Sequence, residues 1–304
     1  MQIKTLGPLV AQENQISLVP SAGKPRQVLS LLALNANRAI SVGTLIEEIW
    51  GDDPPRSYAT TLQTYILQLR RNLDAALKAA QGDGDRATAK DILVTQHNGY
   101  LLRVNPRDID VHEFEALSDR ARSAASSGED AAASALFTEA LSLWNGPPLV
   151  DVSIGRVLEP EVMRLKEARL AAVEGRLTAR LRLGRHAELL SELTVLTMQY
   201  PMHENLCAQF MIALHRSGRS WNALEAYQKL RDTMIEELGL EPSARLRRLH
   251  QAVLAGDPLL DALEAVDGLD FERQTIRAQQ KPVECQTVRS AKAGVTASRS
   301  GSRF

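Results

Sequence analysis

At 304 residues the chain is too long for one ordinary domain and suits two, each large enough to bury a core of its own. Its composition is globular, 44% apolar and 24% charged, but aromatics are only 4% while Leu and Ala abound, which tilts the expectation toward helix. A net charge of −1 excludes a whole-molecule field that attracts nucleic acid, yet the charges are segregated: residues 1–105 carry 11 Lys/Arg against 9 Asp/Glu and residues 106–256 carry 18 against 21, so DNA affinity must come from a local basic surface in the first segment.

The chain opens with short β-prone runs, Ile3 to Leu6, Leu9-Val10 and Ile16 to Val19, separated by turn residues such as Gly7-Pro8. A first helix is predicted from near Pro25, a residue favoured in the first turn, with Val28, Leu31, Leu32 and Leu34 on one broad apolar face, ending near Asn35 to Asn37. Ser41 is placed to cap a second helix, whose Leu45, Ile46, Ile49 and Trp50 keep helical spacing until Gly51 and Pro54-Pro55 stop it. Ser57 is placed to cap a third.

That third helix, Tyr58 to about Leu77, is the most informative segment. Leu62, Ile66, Leu69 and Leu73 form one stripe at intervals of four, three and four, which turns toward a core. At about 100° per residue, Thr60, Thr64, Leu67 and Arg71 fall on the far side, with Thr61, Tyr65 and Gln68 along one flank and Arg70 on the other. A hydroxyl, amide and guanidinium face is thus presented outward. After a loop from Gly82 to Lys90, the runs Ile92 to Thr95 and Tyr100 to Val104 flank Gln96-His97-Asn98-Gly99, and Asn-Gly between β-prone runs is a strong hairpin signal.

From Asp110 onward helical periods follow one another: Phe114, Leu117 and Ala121; Leu136, Ala140 and Leu143-Trp144; Leu158, Val162, Leu165 and Ala172. Further stripes are Leu189, Leu193 and Leu196; Leu206, Phe210 and Leu214; and Leu224, Tyr227, Met234 and Leu238. Two corners read alike, Leu183-Gly184-Arg185 and Ser217-Gly218-Arg219, with glycines 34 residues apart, the tetratricopeptide period. Ser127-Gly128-Glu129 is a weaker echo that would open an earlier repeat, separated by a longer insertion. Asp257 to Glu272 holds six acids and no base, and Arg273 to Phe304 holds seven bases and one acid; this composition has no core to offer and reads as a disordered tail.

Four segments together carry a resemblance: Ile49-Trp50-Gly51-Asp52-Asp53-Pro54-Pro55, Leu62-Gln63-Thr64-Tyr65-Ile66-Leu67-Gln68-Leu69-Arg70-Arg71-Asn72-Leu73, Asn98-Gly99-Tyr100-Leu101-Leu102 and Asp110-Val111-His112-Glu113-Phe114. Over residues 1–256 the chain resembles the Streptomyces antibiotic regulatory proteins, which join an OmpR-like winged helix to a bacterial transcriptional activator domain. The implied fold is mostly α with a small β part. An N-terminal winged helix-turn-helix would span residues 1–105, an all-α tetratricopeptide-like helical repeat domain 106–256, and the tail 257–304. The implied function is pathway-specific activation of an antibiotic biosynthetic cluster. The implied partners are double-stranded promoter DNA carrying direct repeats, RNA polymerase holoenzyme and a second copy of the chain on DNA, with no cofactor. In this reading no receiver domain is expected before the winged helix, and hence no aspartate phosphorylation of the response-regulator kind; no nucleotide-binding domain is expected after the helices either.

A helix laid in the major groove needs short polar side chains near its start to reach base edges, and guanidinium groups to grip phosphates. Thr61, Thr64, Tyr65 and Gln68 are the base-facing candidates, Gln68 having the bidentate geometry for adenine, while Arg70 and Arg71 are assigned to phosphate. The wing tip, with His97 and Asn98, is a minor-groove candidate. In OmpR-like activators the loop that holds Asp52, Asp53 and Arg56 here faces polymerase. Each feature also has a plain reading, as a solvated helix face, an exposed turn or a helix stop.

Other chemistries find less support. His203 and Cys207 lie four apart on a predicted helix, but the sequence places no further metal ligands, so packing is the better reading. The two cysteines, Cys207 and Cys285, offer neither a disulfide framework nor a CxxC knuckle and fit a reducing cytoplasm. The N-terminus lacks a basic start followed by an apolar run, and the densest apolar stretch, Val28 to Leu34, is too short to span a bilayer. Gly23-Lys24 lacks the rest of a phosphate loop, and neither GxSxG nor HExxH occurs, so no enzyme is expected. The competing class is an interaction scaffold, in which the helical repeats bind a partner protein and the winged helix does not read DNA. Loss of specific DNA retention would favour it.

Overall fold

The computed structural model describes residues 1–79 and 88–261, all within one compact unit. Three antiparallel strands open it, β1 (Gln2–Lys4), β2 (Val10–Glu13) and β3 (Ile16–Ser17), in that spatial order. Asn14 and Gln15 join β2 to β3 with φ of 50° and 66°. Positive φ at both central residues matches the right-handed twist of a two-residue hairpin, so a tight turn forms here without the usual glycine.

The helices of the first part are α1 (Gly23–Leu34), α2 (Val42–Trp50), α3 (Tyr58–Ala79) and the single turn α4 (Ala89–Ile92). The Ser41 hydroxyl accepts the Thr44 amide at 3.0 Å, so it caps α2 as the sequence suggests. A second sheet has the order β4-β6-β5, from β4 (Ile40–Ser41), β5 (Leu93–Gln96) and β6 (Gly99–Leu102). Pairing of Gln96 with Gly99 confines the turn to His97 and Asn98, and Asn98 takes φ 58°. The glycine of the Asn-Gly signal therefore lies in the strand. A Cβ on Gly99 would sit 2.4 Å from the Ile40 carbonyl oxygen, so it is the close approach of β4 that requires glycine.

The stripe of α3, Leu62, Ile66, Leu69 and Leu73, is buried against Val28, Leu31 and Leu32 of α1, Leu45 of α2 and Leu93 and Leu102 of the hairpin. This is a winged helix, three helices with a hairpin wing beside the third.

Among the described residues, seven helices follow: α5 (Asp110–Ser126), α6 (Asp130–Ser142), α7 (Leu158–Arg182), α8 (His186–Gln199), α9 (Glu204–Arg216), α10 (Ser220–Leu238) and α11 (Ala244–Ala255). The corners after α5, α7 and α9 share one geometry. Gly128, Gly184 and Gly218 take φ of 78°, 74° and 72°. The amides of Glu129, Arg185 and Arg219 then reach back to the carbonyls of Ala124, Arg180 and Leu214 at 2.9, 3.0 and 2.9 Å. This is the bond of a Schellman cap, which glycine supplies without steric cost. The weak echo at Gly128 is thus a corner of the same kind, and residues 143–157 form the longer insertion.

Across residue 105, where the sequence pattern changes, the core is continuous. Ile3 and Leu6 pack in one cluster with Ile109, Phe114, Trp144 and Leu149, and Ile3 bridges Ile109 in parallel. Buried Asp110 accepts the amides of Thr5 and Leu6, each at 2.9 Å, and the Thr5 hydroxyl at 3.1 Å. Burial pushes its carboxyl above the usual range, while those hydrogen bonds pull the other way. Asp151 accepts the Leu9 amide at 2.7 Å and pairs with Arg26 at 2.9 Å.

The tail expected to be structureless from residue 257 is ordered at its start. Pro258–Asp261 makes a 3-10 turn, Leu260 is buried among residues of α9 to α11, and the Arg216 Nε donates to its carbonyl at 2.8 Å. The rest of that tail, and the expected loop up to residue 87, lie outside the described residues.

Candidate nucleic-acid interface

The outward face of α3 exposes Thr60, Gln63, Thr64, Leu67 and Arg71, with Thr61, Tyr65, Gln68 and Arg70 half-buried at its flanks. The hydroxyls of Thr61 and Thr64 donate to the carbonyls of Ser57 and Thr60, both at 3.0 Å. With the donor spent inside the helix, each threonine offers a base edge an acceptor oxygen and a methyl group. Tyr65 stacks on Trp50 with ring centroids 6.3 Å apart and planes at 19°, and Lys24 Nζ lies 5.0 Å over the Trp50 ring. The Tyr65 ring is therefore committed to the seam between α2 and α3.

Arg70 does not stand free for phosphate as the sequence reading has it. Its Nε and Nη2 donate to the Leu93 carbonyl at 3.1 and 2.7 Å, and Nη2 also to the Thr95 hydroxyl at 2.7 Å. A guanidinium fork thus fastens the first wing strand to α3. Arg71, one position on, is exposed and has no protein partner among the described residues. His97 and Asn98 project at the wing tip, held by a 3.0 Å bond from the Val42 amide to the Asn98 carbonyl.

In the loop after α2, the three acidic and basic candidates separate. Asp52 receives both terminal nitrogens of Arg156, Nη1 at 2.7 Å, and this guanidinium holds its carboxyl below the usual carboxylate range. That loop is thereby linked to the segment before α7. Asp53 and Arg56 are exposed, their side chains without a protein partner among the described residues.

A residue the sequence reading missed braces this arrangement from beneath. Glu48 of α2 is 2% exposed, and its carboxylate accepts the amides of Gly155, Val157 and Leu158 at 2.7, 3.0 and 2.9 Å. The last two amides lie at the start of α7, whose positive helix end favours an anion. The available signal was a charged residue on the apolar face of α2, three positions after Leu45. Farther away, His203 Nε2 meets Glu174 at 3.1 Å while Nδ1 accepts the Leu206 amide at 3.4 Å, and the Cys207 thiol faces the Ala226 carbonyl.

Comparison with known proteins settles the family. Residues 17–102 match the family model for the C-terminal region of transcriptional regulatory proteins, and residues 109–254 match that for the bacterial transcriptional activator domain. Regulatory protein DnrI of Streptomyces peucetius is 54% identical over 261 residues, covering 86% of this chain and 94% of that protein. The chain belongs to the Streptomyces antibiotic regulatory proteins. Another relative, transcriptional regulator RedD of Streptomyces coelicolor, is 33% identical over 88% of this chain and 74% of its own length. Among solved structures, Mycobacterium tuberculosis EmbR in complex with a low-affinity phosphopeptide superposes with a TM-score of 0.81 at 28% identity, covering 91% of this chain and 70% of that one. As a member of this family the chain is a transcriptional regulator, built as a winged helix followed by tetratricopeptide-like helices. Among the described residues, no helix is long and apolar enough to cross a membrane.

Proposed function

We propose that the chain is a sequence-specific activator of an antibiotic biosynthetic cluster, acting in the cytoplasm by laying α3 in the major groove of promoter DNA. The observation that carries this reading is the polar outward face of α3 beside a wing pinned to it by Arg70. On this reading Gln68 pairs with adenine, Thr61 and Thr64 meet base edges through oxygen or methyl, and Arg71 grips phosphate. Arg70 is a positioning residue, and Tyr65 sets the angle between α2 and α3. His97 and Asn98 enter the minor groove. Asp53 and Arg56 face RNA polymerase holoenzyme, with Asp52 holding their loop to Arg156.

The winged helix at residues 1–105 and the helical domain at 106–256 act as one rigid reader, supported by the continuous core between them. A helix on one groove and a wing on the next make an asymmetric footprint, so two copies bind head to tail on direct repeats. For both recognition helices to enter from one side, the half-sites lie roughly 10 to 10.5 base pairs apart.

Genome-wide capture of DNA by the purified protein, followed by gel shifts on a recovered site, tests the reading. Arg71→Ala is expected to weaken cognate and random DNA alike and to lower the salt slope by about one, while Gln68→Ala costs about 1–3 kcal/mol mainly on the cognate site. Equal losses on both DNAs for Gln68→Ala would remove it from the reading set, and capture without any recurring sequence would overturn the proposal.

A further inference from the structure

A cleft of about 430 Å³ opens between α8 and α10 over α9, in the helices farthest along the chain from the DNA-facing part. Its floor is apolar, built from Leu190, Phe210, Leu214 and Leu230. The Cys207 thiol lies there too, and burial pushes it up to about 12, so it adds no charge. The cleft stays open because small side chains face each other across it, Thr194 and Thr197 on α8 and Asn222 and Ala226 on α10. Both threonine hydroxyls already donate to carbonyls of their own helix, at 2.7 and 2.8 Å.

The polar groups at the rim are uneven. Arg219 has no side-chain partner among the described residues, and it stands at the N-terminus of α10, which has no side-chain cap and no acid in its first turn. The Arg219 guanidinium, on the residue that precedes this 19-residue helix, is therefore an unpaired cation of the cleft lining. Farther along α10 the rim carries Glu225, whose carboxylate accepts from the Asn222 side-chain amide at 3.5 Å, and Lys229 one turn on. Met198, 68% exposed, extends the apolar surface at the lip. Small-molecule sites combine a volume of roughly 300–1,000 Å³, mostly apolar walls and a few convergent polar groups. This cleft has all three.

We propose that the cleft between α8 and α10 binds a small apolar molecule bearing one anionic group, its body on Leu190, Phe210, Leu214 and Leu230 and its anion on Arg219. This inference is independent of the DNA-reading assignment, since the cleft shares no residue with the proposed interface.

The test uses the full-length chain and the fluorescent apolar anion 8-anilinonaphthalene-1-sulfonate, whose emission rises on leaving water. Saturable binding at one site is expected, displaced by decanoate far better than by decanol. Arg219→Ala should weaken it about tenfold, the loss of one charge-assisted contact. Ala226→Leu fills the gap and should weaken it by at least as much, with an unchanged circular dichroism spectrum and a cooperative melt. Thr194→Leu fills the cleft from the opposite wall and replaces that variant if it fails to fold. Unsaturable or multi-site binding, unaltered affinity in folded gap-filling variants, or equal displacement by decanol would each overturn the proposal.

Discussion

Removing the Glu48 carboxylate should cost far more than an ordinary helix substitution. In Glu48→Ala the amides of Gly155, Val157 and Leu158 lose their acceptor together, and each buried donor left unsatisfied costs about 1–3 kcal/mol. Only Leu158 is fully buried; Gly155 and Val157 are half-buried, so water regains part of their bonding and the upper end is out of reach. The loss should therefore be about 3–4 kcal/mol, a large share of a stability that is typically about 5–15 kcal/mol. Glu48→Gln keeps one acceptor oxygen but turns an amide donor toward other donors, so it should recover only part of the loss. Urea titration of the full-length chain, followed by circular dichroism, reads the effect as a lower midpoint at an unchanged slope. A loss within about 0.5 kcal/mol, the range of an unremarkable surface change, would show that the clamp does not hold the two parts together.

Three further outcomes are expected. Glu174 raises the pKa of His203 through its hydrogen bond, with burial opposing, so this pair stabilises the fold below the unfolded value of about 6.5 and the contribution fades as pH rises through the higher folded value. The stability gap between the wild type and His203→Gln should thus be wider at pH 6 than at pH 9, and a gap independent of pH would contradict the assignment. Asp53→Ala should spare DNA affinity and lower transcription in vitro, whereas Asp52→Ala also frees Arg156; undiminished transcription in both would return the loop to a helix stop. On the operator, inserting about 5 base pairs between repeats should abolish cooperative binding and a full-turn insertion should restore part of it, and footprints indifferent to the half turn would rule out the head-to-tail arrangement.

What could be read from the sequence divides along a physical line. The buried stripe of α3, the Ser41 cap and the glycine corners at residues 128, 184 and 218 are signals written within a few residues, because helical period, capping and positive φ are local properties. Strand β4 escaped notice because two residues carry no period; it exists because Gly99 lets Ile40 come close, and that partner is distant in the chain. The protein partners of Arg70 are hidden in the sequence for the same reason. Its flank of the helix was correct, but the carbonyl it binds, Leu93, is 23 positions away, and any residue can offer a carbonyl.

The acids that join the two parts are the extreme case. Glu48 finds its amides 107 to 110 positions away, Asp110 finds Thr5 at 105, and Asp151 finds Leu9 at 142. All three accept backbone N–H groups, so the partner residue leaves no chemical mark in the sequence, and only Asp151 also meets an opposite charge, Arg26, 125 positions away. Their placement nevertheless bears on the proposed DNA-reading face. Glu48 lies on α2, which stacks on α3 through Trp50 and Tyr65, while Asp110 fixes the backbone that follows β1. The helical part is thus bonded to the elements that support the recognition helix. A change in the helical array that shifts α7 must either carry α2 with it or break three hydrogen bonds.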